Sequence, residues 1–180
     1  RPALDGLSAT AFPSGVRTMP VEASETVAPI IIWRKEMAED SGGAGATRGG
    51  LGQEMEIGGA DGAPFSVLAQ FERVDNPARG REGGASGAAG GVALASGKTM
   101  RAKGQQSIPA HDRLRLTLPG GGGYGDPYTR GTERVREDVR DGLVSVERAR
   151  QDYGVQISPE GRLDEDACHA LRVEQGTAHD

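Results

Sequence analysis

The chain has 180 residues, the size of one domain or of one domain with an appendage. Its 21 basic and 26 acidic residues are well mixed, give a net charge of −5 and form no basic stripe, which excludes the electrostatic footprint of nucleic-acid binding. No apolar run is long enough to span a bilayer, and the single cysteine, Cys168, excludes an internal disulfide and fits a reducing compartment.

Aromatic residues are scarce, with three Phe, three Tyr and one Trp, so any core must be aliphatic. Glycine is the outlier: 29 residues, against a usual share of about 7%. The glycines follow no Gly-X-Y period and cluster at 42–62, 80–91 and 120–125, which points to tight turns and close backbone approach. The opening residues Arg1–Asp5 carry no signal-peptide pattern and no initiator Met, so a processed chain or a fragment is expected, with a cytoplasmic location.

In chain order, residues 1–20 are turn-rich, with Asp5-Gly6, Pro13-Ser14-Gly15 and Pro20 as punctuation. The β-branched run Val27 to Trp33 predicts a strand, with Pro29 at its start or on an edge, and 34–39 as its continuation despite mildly helical propensity. Leu51 to Ile57 and Phe65 to Arg73 alternate apolar and polar residues, the period of half-buried strands. Gly90 to Ala95 is a weaker strand, and Arg113 to Leu118 alternates without a break. Beyond Pro127 the period changes. Val135, Val139 and Leu143 mark one helix face, with Thr132 as N-cap and Gly142 just past the end. A second helix runs from the cap Ser145 through Val146, Ala149 and Tyr153 to Gly154. Val155 to Ile157 is extended and 159–162 a turn; Asp164 caps a last helix through Ala167, Ala170 and Leu171, frayed from Glu174. The expected fold is mainly β with an α-helical C-terminal tail. Its body is an antiparallel sandwich or barrel-like sheet, divided as a glycine-rich β domain over 1–127 and a helical tail over 128–180.

No complete catalytic set is visible. The loop 43–49 misses the dinucleotide spacing by one position and is followed by a strand, so a pyrophosphate would lack a helix N-terminus. Pro119 to Pro127 has no Lys-Ser/Thr pair, which a P-loop needs. His111, His169 and His179 are scattered, and His111-Asp112 fits a turn, so no metal ligands are assigned. Cys168 reads as a small buried hydrophobe. Ser14 and Ser41 read as turn residues whose hydroxyls bond local backbone. The acidic residues of 133–152 read as a solvated face interleaved with Arg.

Four stretches, taken together, resemble the hydantoinase B/oxoprolinase family. They are Asp5 to Arg17 (DGLSATAFPSGVR), Trp33 to Glu36 (WRKE), Asp40 to Gly52 (DSGGAGATRGGLG), and Pro119 to Pro127 (PGGGGYGDP) running into Asp138 to Ser145 (DVRDGLVS). Their order and spacing match the last third of that family's subunit. The resemblance implies an ATP-dependent opening of cyclic amides such as hydantoins or 5-oxoproline. The logic is that phosphorylating the amide oxygen turns an unreactive lactam into one that water can attack, while oriented donors stabilise the developing charge. It implies partners: a hydantoinase A-type subunit holding ATP with Mg, the upstream part of the B-type subunit with a possible divalent metal, and a small cyclic amide or ketone as substrate. No cofactor is expected in this chain, nor a nucleic-acid or membrane partner. A related ketone carboxylase, or a non-catalytic β-rich interaction module, are the alternatives. The positions carried over are Asp40, Ser41, Gly42, Gly43, Arg48, Gly49, Gly50, Gly120, Gly121, Gly122, Gly123, Tyr124 and Asp126, as loops lining the substrate cavity or a subunit interface, with Arg48 facing an anionic group. The competing reading is that Asp40 and Asp126 bond their own turn amides and Arg48 ties two loops together.

Overall fold

The computed structural model describes residues 4–9 and 19–177. Six strands and four helices follow in chain order: α1 Val21–Val27, β1 Ile30–Met37, β2 Gln53–Gly59, β3 Phe65–Gln70, β4 Gly91–Leu94, β5 Lys103–Ile108, β6 Arg113–Thr117, α2 Thr132–Arg140, α3 Val146–Tyr153 and α4 Glu165–Thr177. Helix and strand contribute about equally. One sheet has the order β1-β2-β6-β4 and the other pairs β3 with β5, with every neighbour antiparallel. Both sheets are open, so among the described residues the body is a two-sheet sandwich rather than a closed barrel.

The alternation in sequence sets which faces meet. Leu114 and Leu116 of β6 pair with Ile57 and Met55 of β2 and with Leu94 and Val92 of β4, so their side chains share one face. That face packs against Ile108, Phe65 and Val67 of the smaller sheet, with Phe71 and Met100 at the margin. The opposite face carries the charges: Arg34 pairs with Glu54, and Arg113 and Arg115 both pair with the mostly covered Glu56. A bulge between Ile32 and Arg34 turns Trp33 outward, where its ring lies 4.1 Å from the Arg113 guanidinium.

A second core belongs to the helices. Val135, Val144, Ala149, Tyr153, Val155, Ile157 and Cys168 are buried together, with Ala44 of the glycine loop among them. Helix α2 ends in a Schellman motif: the Leu143 amide donates to Asp138 O and the Gly142 amide to Val139 O, with Gly142 at φ +70°. Ser145 accepts from the Arg148 amide as N-cap of α3, and Asp164 accepts from the Ala167 amide at the start of α4.

Several expectations are corrected. The strand expected from Val27 begins only at Ile30: Val27 ends helix α1 and 28–29 form a bend, while Ser24 and Thr26 donate back to carbonyls four residues earlier, which suits a helical turn. Strand β5 was not expected, because Lys103-Gly-Gln-Gln-Ser has almost no apolar residue. It forms by pairing with β3, and its one buried side chain is Ile108. Gly131, not Thr132, is the N-cap of α2. Val146 and Ala170 face solvent, while Cys168 takes the buried face of α4. Helix α4 continues past Glu174 to Thr177. Pro13 and Ser14 lie outside the described residues. Among the described residues no helix is long and apolar enough to cross a membrane.

Candidate functional site

Three glycine-rich loops, 41–52, 79–88 and 119–125, converge between the sheet and the helical core and bond to one another through their backbones. The Gly43 amide donates to Gly121 O at 2.8 Å, the Gly121 amide to Gly50 O at 2.8 Å, and the Gly49 amide to Gly43 O at 2.9 Å. The third loop joins through the Gly123 amide to Ala85 O at 2.9 Å, the Gly120 amide to Ala88 O at 3.1 Å, and the Ala88 amide to Ser41 O at 2.8 Å. Thr47 and Tyr124 exchange amide bonds at 3.0 Å each way. The backbones lie so close that side chains have no room. A Cβ on Gly120 would fall inside the Ser41 carbonyl, one on Gly49 inside Gly121 O, and one on Gly123 inside Ala44 O. None of these three has positive φ. Contact between chains, rather than left-handed turns, is therefore what requires glycine here.

A buried ionic cluster holds this layer to the helices. Arg130 follows the glycine loop and donates to both Asp5 oxygens at 2.7 and 2.8 Å, to Asp138 Oδ2 at 2.8 Å and to Ala46 O at 3.2 Å. Arg48 pairs with Asp138 at 3.4 Å and gives its Nη1 to Gly49 O at 2.9 Å. The Arg130, Arg48 and Asp138 side chains are 2%, 6% and 8% exposed. Two guanidiniums against two carboxylates cancel in charge, which is how buried ions are tolerated. Burial pushes the Asp5 carboxyl up. The Arg130 hydrogen bonds, the Arg48 amide and both guanidinium charges outweigh that and hold it below its ordinary value. Burial likewise disfavours the Arg130 cation, but Asp5 and Asp138 keep its pKa raised. Tyr153 is buried beside this cluster, and desolvation pushes its phenol up to about 12.

The structure brings Ser41, Gly42, Gly43, Arg48, Gly49, Gly50, Gly120, Gly121, Gly122, Gly123 and Tyr124 into this one layer. Ser41 donates to Ala38 O at 2.5 Å and accepts from the Gly52 amide at 2.8 Å. Asp126 accepts from the Tyr128 amide two residues on. Asp40, at φ +61°, instead accepts from the distant Ser145 amide at 2.8 Å, so it clips the loop to the start of α3. Arg48 ties its loop to a helix, through Asp138, rather than to a second loop. Asp138 corrects the reading of 133–152 as wholly solvated. Its signal was its place between Val135 and Val139 on the apolar face of α2.

An open cleft of about 640 Å³ runs beside the layer, lined by Leu7, Gly50, Arg73, Leu118, Pro119 and Gly121 among others. It presents backbone, apolar surface, Gln53 and the Arg73 guanidinium. His111 sits in a turn at φ +62° and His169 is exposed on α4. His179 lies outside the described residues. Among the described residues no group of three or more His, Cys, Asp or Glu is placed to hold a metal ion.

The hydantoinase B/oxoprolinase family profile matches residues 1–127, and the chain belongs to that family. It is 36% identical over 172 residues to the caprolactamase subunit beta of Pseudomonas jessenii, covering 85% of this chain and 28% of that subunit. The crystal structure of the ATP-dependent caprolactamase from the same organism superposes with a TM-score of 0.74 at 32% identity, over 87% of this chain and 28% of the matched one. The nucleotide-free structure of an acetone carboxylase superposes with a TM-score of 0.77 over 98% of this chain and 29% of that one; at 22% identity this likeness is one of fold. The chain thus spans less than a third of the relatives it matches. The first of these relatives is one subunit of its enzyme, and both solved structures are of ATP-dependent enzymes.

Proposed function

We propose that this chain is the carboxy-terminal part of a B-type subunit in an ATP-dependent cyclic-amide hydrolase, acting on a hydantoin, 5-oxoproline or lactam ring. The observation that carries the reading is its 36% identity to the caprolactamase subunit beta over 85% of its length. The glycine layer supports it physically, because a framework of interlocked backbones is a rigid wall for chemistry supplied by other polypeptide. ATP and Mg belong to a hydantoinase A-type partner in this reading, and a divalent metal, where one is used, to the part of the B-type subunit outside these 180 residues. This chain's own contribution is positional. Arg48, Arg130 and Asp138 fix the loops to the helices, and the cleft beside Arg73, Gly50 and Gly121 faces the rest of the assembly or the substrate path. The isolated chain is catalytically incomplete.

Co-expression tests this. A tagged form of the chain, produced with the A-type subunit and the remainder of the B-type subunit, should retain both through affinity and size-exclusion steps. Elution of the chain alone would remove the basis of the reading.

A further inference from the structure

The N-terminal strap, residues 5–8, lies across the glycine layer and is held at three points. The Gly6 amide donates to Arg48 O at 2.8 Å, Ser8 Oγ accepts from the Leu51 amide at 2.9 Å, and the Asp5 carboxylate takes both Arg130 nitrogens and the Arg48 amide, the last at 2.7 Å. Of these, the Asp5 contact has the form of a bound ligand. A planar carboxylate meets a guanidinium through two parallel hydrogen bonds and receives a third from a backbone amide.

The receiving groups are held in place without Asp5. Arg130 is fixed by Asp138 Oδ2 at 2.8 Å and by Ala46 O at 3.2 Å, and its own carbonyl accepts from Arg172 Nη2 at 2.7 Å. The Arg48 side chain is fixed by Asp138 and Gly49 O. The Arg130 side chain is 2% exposed and its Nε has no hydrogen-bond partner among the described residues, so the guanidinium relies on its two terminal nitrogens for satisfaction. The Asp5 side chain is 31% exposed, so solvent and small solutes reach the carboxylate from the strap side. With Asp5 withdrawn, two guanidiniums would face one carboxylate, leaving buried Arg130 only Asp138, which it shares with Arg48, as counter-ion.

We propose that Arg130 and the Arg48 amide form a carboxylate-binding site that Asp5 fills from within the chain, and that a free monocarboxylate takes its place when the strap's own carboxylate is removed. The strap's carboxylate is thus a built-in ligand, and the site selects a planar two-oxygen anion over a spherical one of equal charge.

The test is chemical rescue in the 180-residue chain, read by hydrogen exchange at the Gly6, Arg48 and Leu51 amides. Asp5→Gly removes the side chain that acetate would replace, and Asp5→Ala leaves room for formate. Each variant should lose protection at those amides by at least about tenfold, the scale of a single charge-assisted hydrogen bond, since Asp5 accepts three. Acetate or formate, in roughly the millimolar range expected of so small an ion, should restore it saturably, while chloride at equal ionic strength does not. Unchanged protection in the variants, or equal effects of carboxylate and chloride, would overturn the proposal. Should both truncations fail to fold, Asp5→Asn keeps the shape without the charge. It must lose protection at the same three amides, and wild-type protection in Asp5→Asn would overturn the proposal equally.

Discussion

Arg130 and Asp5 stand 125 positions apart in sequence and meet through two hydrogen bonds of 2.7 and 2.8 Å, with Asp138 completing the Arg130 guanidinium from α2 at 2.8 Å. The N-terminal strap, the glycine layer and the helices therefore close on one neutral ionic cluster. Removing one member strands a buried charge, and that cost exceeds what the intact pair contributes.

Asp138→Ala leaves Arg48 and Arg130 unbalanced at sites 6% and 2% exposed on their side chains. The expected loss is about 3–5 kcal/mol, a fall in melting temperature on the order of 10 °C for a chain of this size. Glu133→Ala, which removes an exposed i,i+3 pair with Arg136, should leave the melting temperature close to that of the parent. Thermal unfolding followed by circular dichroism separates the two.

Glycine substitutions should sort by backbone contact. Gly120→Ala and Gly49→Ala place a methyl inside the Ser41 and Gly121 carbonyls and should abolish folding or cost more than about 3 kcal/mol. Gly131 has open space around its Cβ position and caps α2, so Gly131→Ser should be neutral or stabilising by a few tenths of a kcal/mol, about the difference between glycine and serine caps. Denaturant midpoints for the three proteins give the comparison.

Acid stability should depend on Asp5. Its folded pKa lies below its ordinary 3.8, so its contribution is fully present above that value and is lost as pH falls through the depressed one. Asp5→Asn should be less stable than the parent near neutrality, and the gap should close as pH drops below 3.8 toward the depressed value. Urea midpoints measured across that range check the sign.

Alkaline stability should depend on Tyr153. Burial raises its folded pKa to about 12 from an ordinary 10.0, so the folded state keeps a proton that the unfolded state has lost. The stability this represents is complete below 10 and disappears as pH rises through about 12. In an ultraviolet titration of the three tyrosines, one phenolate should appear only near 12 or together with unfolding.

Much of the sandwich was legible from the alternation of Leu114 and Leu116 with Arg113 and Arg115, and of Met55 and Ile57 with Glu54 and Glu56. In both, a period of two coincides with a buried face. The helices were legible where local chemistry marks them, at Ser145, Gly142, Gly154 and Asp164. Strand β5 was not, because its pairing with β3 and not its own residues makes it a strand. Nor was helix α1, where β-branched Val27 beside Ile30 suggested one continuous strand. The glycine blocks announced close approach, but composition carries no partner information: that Gly49 meets Gly121 and Gly120 meets Ser41 follows only from the fold. Arg130 gave no signal at all, since an arginine in a Thr-Arg-Gly turn reads as surface.

Catalytic incompleteness of the isolated chain is tested most directly by ATP-dependent ring opening of a lactam, measured for the 180-residue chain alone and for the assembly containing the A-type partner and the complete B-type subunit. That incompleteness predicts turnover coupled to ATP hydrolysis in the assembly and none in the isolated chain. Ring opening by the chain alone, supplied with only Mg and ATP, would contradict it.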